Sequence, residues 1–272
     1  MRICDPLVHV ANNPAKRERP AKGAPSTRIV ARHGRRSGAT GHPGEEREQR
    51  HRRDPRSPPP AVASPMRFDL TDMSAPDRYK LLTGTVVPRP IGWISTVDEH
   101  GRRNLAPFSY FQIASVTPPV LLFSGGSRAG TPKDSVRNAL ATGGFVGHVA
   151  DASLMEAMNA TSVEAPHEID EFAYAGLEAV SSEVVAAPRV AAAPVAFECE
   201  LLHHWQVPGG GNTLVFGSVR VAYVRDDLVQ ADGRIDVRAL NPIARLAGTQ
   251  YGTLADVIDL ARPVWQDPPA DD

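Results

Sequence analysis

Cysteine is nearly absent, with Cys4 and Cys199 as the only two in 272 residues. No disulfide framework and no thiolate metal spacing can be built from that pair. Aromatic residues make up 6% of the chain, and residues 1–65 contain none. That segment therefore has nothing on which nucleic-acid bases could stack. No apolar run approaches the roughly 18 residues that a membrane-spanning helix needs, and no signal peptide is visible. The pattern predicts a soluble, cytoplasmic protein. Gly-x-Ser-x-Gly is missing, and with it the nucleophile elbow of the α/β-hydrolases. Gly-x-Gly-x-x-Gly is missing too, so no dedicated dinucleotide-binding fold is expected.

Charge is unevenly spread. Residues 1–65 carry 14 Lys and Arg against 6 Asp and Glu, although the whole chain has a formal net charge of −1. The same 65 residues hold ten prolines, among them Pro58-Pro59-Pro60. Such a composition cannot bury enough apolar surface to offset chain entropy, so 1–65 is read as a disordered basic arm. Three roles suit it: non-specific contact with nucleic acid, an Arg-rich transit segment, or translated leader ahead of the true start. The last is the favoured reading, because Met66-Arg67-Phe68-Asp69-Leu70 looks like a natural beginning. No sequence-specific nucleic-acid partner and no membrane partner are expected. Residues 66–255 fit one domain with a sizeable core, followed by a tail over 256–272.

Within that domain, short strand patterns alternate with turns. Ile91–Val97 leads through the turn Asp98-Glu99-His100-Gly101 to a return strand over Asn104–Ile113. Pro119–Ser124 is a short apolar run of strand length. Pro132–Ala141 reads as a helix closed by Gly143-Gly144. Phe145–Val149 is a strand, Ser153–Ala160 a short helix, and Ala165–Asp170 a loop. A long hairpin joins Ala196–Leu202 to Thr213–Val224 across Pro208–Asn212. Six or more antiparallel strands with two or three helices are most simply arranged as a small β-barrel, because closure removes exposed edges.

Two stretches carry candidate chemistry. Asn104-Leu105-Ala106-Pro107-Phe108-Ser109 breaks the alternation of the return strand. Proline sits only at edges, bulges or strand ends. Backbone groups there need a partner, and a ligand is one candidate. The loop Ser124–Ser135 offers Ser124, Ser127, Arg128, Thr131, Lys133 and Ser135, with three glycines and a helix start. It suits a phosphate, with Arg128 able to grip two oxygens; ordinary loop and cap chemistry explains it equally well. His203 and His204 are adjacent on a strand and face opposite ways. His148 reads as a satisfied structural residue, and Glu164, Glu168, Asp170 and Glu171 as a solvated face. No catalytic residue and no metal site is identified.

The ordered series Arg89-Pro90-Ile91-Gly92-Trp93-Ile94-Ser95-Thr96, Asn104–Phe111, Pro118–Leu122, Lys133-Asp134-Ser135, Asp170-Glu171-Phe172, Ala175-Gly176-Leu177 and Ala244–Tyr251 resembles the flavin reductase-like family of FMN-binding split barrels. The likeness runs from about Phe68 to about Tyr251. Ala247, where relatives often have glycine, and His148, where they often have asparagine, depart from the pattern.

The resemblance implies a mainly β fold with peripheral helices, a six-stranded antiparallel Greek-key split barrel. It also implies a homodimer with one FMN per subunit near the interface, FAD being the alternative flavin. NAD(P)H would be the transient donor, and a small acceptor or a partner monooxygenase the recipient. On this reading Asn104, Ala106, Pro107, Phe108 and Ser109 face the flavin ring, with Ser95, Thr96 and Ser109 bonding its edge or the ribityl chain. Ser124, Arg128, Lys133 and Ser135 hold the phosphate, and Arg89 either reaches it or is a surface cation. Trp93, Tyr110 and Phe111 either wall the ring or belong to the core. The rival of another class is a flavin-binding module without turnover, for storage, redox sensing or electron transfer. A split barrel preferring FAD, haem or a deazaflavin is the third.

Overall fold

A computed structural model describes residues 64–128 and 130–265. The chain divides into two units, Met1–Met66 and Arg67–Asp272. The basic arm up to residue 63, and the last part of the tail from residue 266, lie outside the described residues. Everything below concerns the second unit.

Helix α1 (Ala75–Thr85) begins where the Ser74 hydroxyl accepts the Asp77 N–H, with a proline in the first turn. A two-residue strand β1 (Arg89–Pro90) precedes β2 (Gly92–Val97), which turns into β3 (Arg103–Phe108). The turn is tied by the Asp98 carboxylate, which accepts the N–H groups of His100 and Arg102 at 2.9 Å each. Gly101 adopts φ +79, where glycine escapes the clash a side chain would meet. Next come β4 (Phe111–Val116) and β5 (Pro119–Gly125), then a small hairpin of β6 (Ser127–Arg128) and β7 (Thr131–Pro132). Helix α2 (Asp134–Thr142) leads to β8 (Gly144–Val149), and α3 (Met155–Ala160) and α4 (Glu171–Tyr174) follow. The remainder is β9 (Ala179–Val180), β10 (Arg189–Val190), the long pair β11 (Val195–Gln206) and β12 (Thr213–Val224), α5 (Val237–Leu240), β13 (Ala244–Arg245) and β14 (Tyr251–Gly252).

The main sheet has seven antiparallel strands in the order β3-β2-β8-β11-β12-β5-β4. The fold class is the mainly β split barrel that the sequence suggests, with one strand more than the six expected. The extra strand arises because the expected single return over Asn104–Ile113 breaks at Ser109-Tyr110. β3 and β4 are consecutive in the chain, yet they occupy the two ends of the strand order. Two residues span only a few ångströms, so the sheet must curl until its ends meet. The Ser124 N–H on the Tyr110 carbonyl, at 2.8 Å, fixes that corner to β5. No ladder joins β3 to β4 among the described residues, which leaves the barrel split along that seam.

Every residue of β2 is buried. One face feeds the barrel interior, where Ile94 packs with Phe108, Phe111, Phe123, Phe145 and Val215. The other feeds a second layer in which Ile91 and Trp93 meet Leu105, Met158, Phe172 and Ile243. Close approach explains Gly92: a Cβ there would lie 2.4 Å from the Phe111 ring. Among the described residues, no helix is long and apolar enough to cross a membrane.

Candidate functional site

A cleft of about 1010 Å³ opens beside the β3 edge. Its walls come from α1, the β3 edge with Ser109 and Tyr110, the β6–β7 hairpin with the start of α2, the loop 161–167, and the β13–β14 hairpin. It takes in Arg89, Asn104, Ala106, Pro107, Phe108, Ser109, Ser124, Arg128, Lys133 and Ser135, residues from stretches far apart in sequence.

The β3 edge is held in a definite state. The Leu105 N–H donates to the Glu171 carboxylate at 3.1 Å, so it points away from β2. Antiparallel strands turn the backbone of alternate residues to the same side, so Pro107 faces outward with Leu105. Proline has no N–H, and at that position the edge presents a carbonyl alone. Burial, opposed by the Leu105 N–H, raises the Glu171 carboxyl above its usual range, with Asp134 and Asp170 adding to the rise. Glu171 and Asp170 correct the expectation of a solvated acidic face. Glu171 is buried in the cleft wall, and Asp170 caps α4 through the Phe172 N–H and pairs with Arg103.

The opposite wall is cationic. Lys133 stands at the N-cap of α2 and its side chain makes no cap bond; its carbonyl accepts the Val136 and Arg137 N–H groups at 3.0 Å each, and this helix start lines the cleft. Its ammonium lies 5.9 Å from the Phe108 ring centre. Arg128 forms an ion pair with Glu164 of the loop 161–167, across the cleft. Arg137 pairs with Asp134 at 2.6 Å. The Ser135 hydroxyl accepts from the Asn104 amide at 2.8 Å, and the Ser124 hydroxyl accepts from Asn212 at 3.1 Å.

Three expected residues behave differently from their assignment. The Ser95 hydroxyl, fully buried, donates to the Pro188 carbonyl. The Thr96 hydroxyl is also buried and accepts from Asn104 and Asn138, each at 3.3 Å. Neither lines the cleft. Arg89 is a buried clasp rather than a surface cation, and it lines the cleft. Its guanidinium donates to the carbonyls of Thr83 (2.5 Å), Val86 (2.9 Å) and Leu246 (2.9 Å) and to Ser109 (3.4 Å). It ties the end of α1, Ser109 and the β13–β14 hairpin together.

Of the aromatics, Tyr110 lines the cleft, whereas Trp93 and Phe111 lie in the core. Trp93 donates its indole N–H to Thr161 at 2.9 Å. His148 has both ring nitrogens engaged: Nδ1 with the Trp93 carbonyl (2.8 Å), and Nε2 accepting the Val190 N–H (3.0 Å). Burial lowers its pKa to about 4, so it stays neutral. Burial likewise pushes the Cys199 thiol up to about 12, which removes it as a nucleophile near neutral pH.

Tyr79, Thr83, Glu171, Arg245 and Tyr251 line the cleft without having been assigned to it from the sequence. Glu171, Arg245 and Tyr251 lie inside stretches that carry the family resemblance, whereas Tyr79 and Thr83 reach the cleft only through long-range packing.

The sequence profile of the flavin reductase like domain matches residues 83–238. An uncharacterised protein of Halalkalibacterium halodurans is 39% identical over 203 residues, spanning 73% of this chain and 97% of its own. The crystal structure of nitrilotriacetate monooxygenase component B from Bacillus cereus superposes with a TM-score of 0.70 at 34% identity, covering 73% of this chain and all of that one. A structure from Shewanella frigidimarina, described as a flavin reductase with a split barrel domain, superposes with a TM-score of 0.65 at 23% identity and supports the fold. It covers 73% of this chain and all of that one.

Proposed function

The chain belongs to the flavin reductase-like family, and from that premise we propose that it is an FMN-dependent oxidoreductase using NAD(P)H as donor. The observation that carries the reading is the pairing of a proline-blunted strand edge with a cationic hairpin and an uncapped helix start across one cleft. A flavin needs these two kinds of wall, one for a flat polar-edged ring and one for a phosphate.

The residues present fit the group. The outward edge at Pro107 and Ser109 suits the ring's polar rim. Tyr110 and the partly buried Ala106 border the ring space. Lys133, Arg128, Ser124 and the N–H groups opening α2 suit the phosphate. When bound, the flavin supplies two-electron redox chemistry between a nicotinamide donor and a small acceptor or a partner monooxygenase. The protein's share is positional. Glu171 fixes the β3 edge, Arg89 braces the end of α1 and the β13–β14 hairpin against Ser109, and the loop 161–167 borders the space above. Helix α1, exposed along nearly its whole length apart from Thr83, supplies one wall. An isolated helix of that length is marginal in water, which supports a homodimer that covers it. The same family reading makes the protein cytoplasmic.

The test is a titration of the full chain with FMN and with FAD, followed by anaerobic NADH and NADPH. Tight binding of FMN and bleaching of its band at about 450 nm support the reading. Binding without bleaching by either donor would leave a flavin-binding module without turnover. A preference for FAD would move the assignment to that flavin.

A further inference from the structure

The cleft holds more positive charge than one phosphate end requires. Five side chains in its wall carry fixed positive charge: Arg89, Arg128, Lys133, Arg137 and Arg245. Arg89 is engaged by backbone carbonyls. Arg128 and Arg137 face Glu164 and Asp134. Among the described residues, Arg89, Lys133 and Arg245 are the three of these five with no carboxylate in ion-pair range, and Arg89 is already taken up by three backbone carbonyls. Lys133 sits at the hairpin and helix start. Arg245 sits on a different element, β13, which pairs with β1 at Arg89.

Arg245 is also held in place. Its guanidinium stacks 4.6 Å from the Tyr251 ring centre and donates to the Gly248 carbonyl at 2.5 Å. The Tyr251 hydroxyl is anchored on Asn159 at 2.9 Å. A guanidinium has five donors, and the one bond to the Gly248 carbonyl leaves the fork free to meet two oxygens of a phosphate or carboxylate. Stacking fixes its plane in advance, so less freedom is lost when an anion binds. The cleft volume, about 1010 Å³, stands at the top of the roughly 300–1,000 Å³ range that encloses one drug-sized ligand.

We propose that Arg245 is a specificity-determining residue that reads an anionic group, phosphate or carboxylate, on a second small molecule sharing the cleft with the flavin. This rests on the flavin reading above. The anion belongs either to the phosphates of the nicotinamide donor or to a carboxylate on the acceptor.

The experiment uses the full chain loaded with FMN and calorimetric titration with NADP+, NAD+ and benzoate, none of which turns over on oxidised flavin. Arg245→Gln and Arg245→Lys are compared with wild type. Arg245→Gln is expected to raise the dissociation constant of at least one probe about tenfold, the scale of one charge-assisted contact at a half-open site. FMN affinity should stay within about twofold, and Arg245→Lys should recover most of the loss. Loss confined to NADP+ assigns the 2′-phosphate, equal loss with NAD+ assigns the pyrophosphate, and loss of benzoate assigns a carboxylate acceptor. Unchanged affinity for all three probes overturns the proposal, as does a flavin-loaded wild type that binds none. An equal loss of FMN would make Arg245 part of the flavin site instead. Wild type that binds no flavin fails the earlier reading and takes this one with it, and the first titration separates the two failures.

Discussion

Two groups of polar residues lie within a few strands of one another and behave in opposite ways. Along the seam between β2, β8 and β10, each named polar group has its partner within the protein: Ser95 on Pro188, Trp93 on Thr161, His148 between Trp93 and Val190. In the cleft, Lys133, Arg245 and the N–H groups opening α2 have no acid or cap among the described side chains. Both groups are rich in hydroxyl, imidazole or cationic chemistry, and composition alone does not separate them. Saturation does. A polar group whose bonds close internally stabilises the fold, and one left open within a concave wall is available to a ligand.

The largest effect should come from opening the seam. His148→Ala removes the side-chain bond to the Trp93 carbonyl, leaves the buried Val190 N–H without its acceptor and leaves a void. Chemical denaturation should show a loss of about 3–5 kcal/mol, with FMN affinity of the folded fraction unchanged. If affinity falls with stability, the seam is not separate from the cleft. The pH dependence is next. The unfolded chain takes up the His148 proton near 6.5, and the native one only near 4. Stability should be full above about pH 6.5 and decline by about 3 kcal/mol as pH falls to about 4. In His148→Ala that component of the slope should vanish, as urea titrations across this range would show. Ser95→Ala is milder: the buried Pro188 carbonyl loses its donor, costing about 1–2 kcal/mol in thermal or urea melts, again with no change in flavin binding.

The converse substitutions lie in the cleft. Lys133→Ala should weaken FMN about tenfold by fluorescence titration and leave the melting temperature within about 2 °C. Glu164→Gln removes the carboxylate that faces Arg128, so an incoming phosphate no longer competes with it. Affinity should tighten about threefold at low salt, less at high salt, because both partners are exposed. A weaker affinity would instead make Glu164 a ligand contact and sharpen the description of the loop.

Much of this arrangement is legible in the residues, because the signals are local. Gly101 and Gly143 mark a turn and a helix end, both arms of the long hairpin around Gly209–Gly211 are rich in strand-forming residues, and Pro107 marks an edge. What is not legible is set by distance or by burial on both faces. The break at Ser109-Tyr110 shows as a lost pattern, but that it sends consecutive strands to opposite ends of the sheet depends on pairings far along the chain. The sequence suggests Ser95 and Thr96 for the flavin because β2 is buried on both sides, and no polar face tells inside from cleft. The sequence leaves Arg89 as either a phosphate contact or a surface cation beside a proline turn, because one of its anchors, the Leu246 carbonyl, lies 157 residues away. Glu171 reads as a surface residue for the same reason: its partner is the backbone of Leu105, 66 residues earlier.

The most direct test of the contrast is an FMN fluorescence titration of Ser95→Ala and Lys133→Ala beside the wild-type chain. Ser95→Ala should match wild type, while Lys133→Ala should bind about tenfold more weakly. Equal loss in both, or loss in Ser95→Ala alone, would contradict the division between a saturated seam and an open cleft.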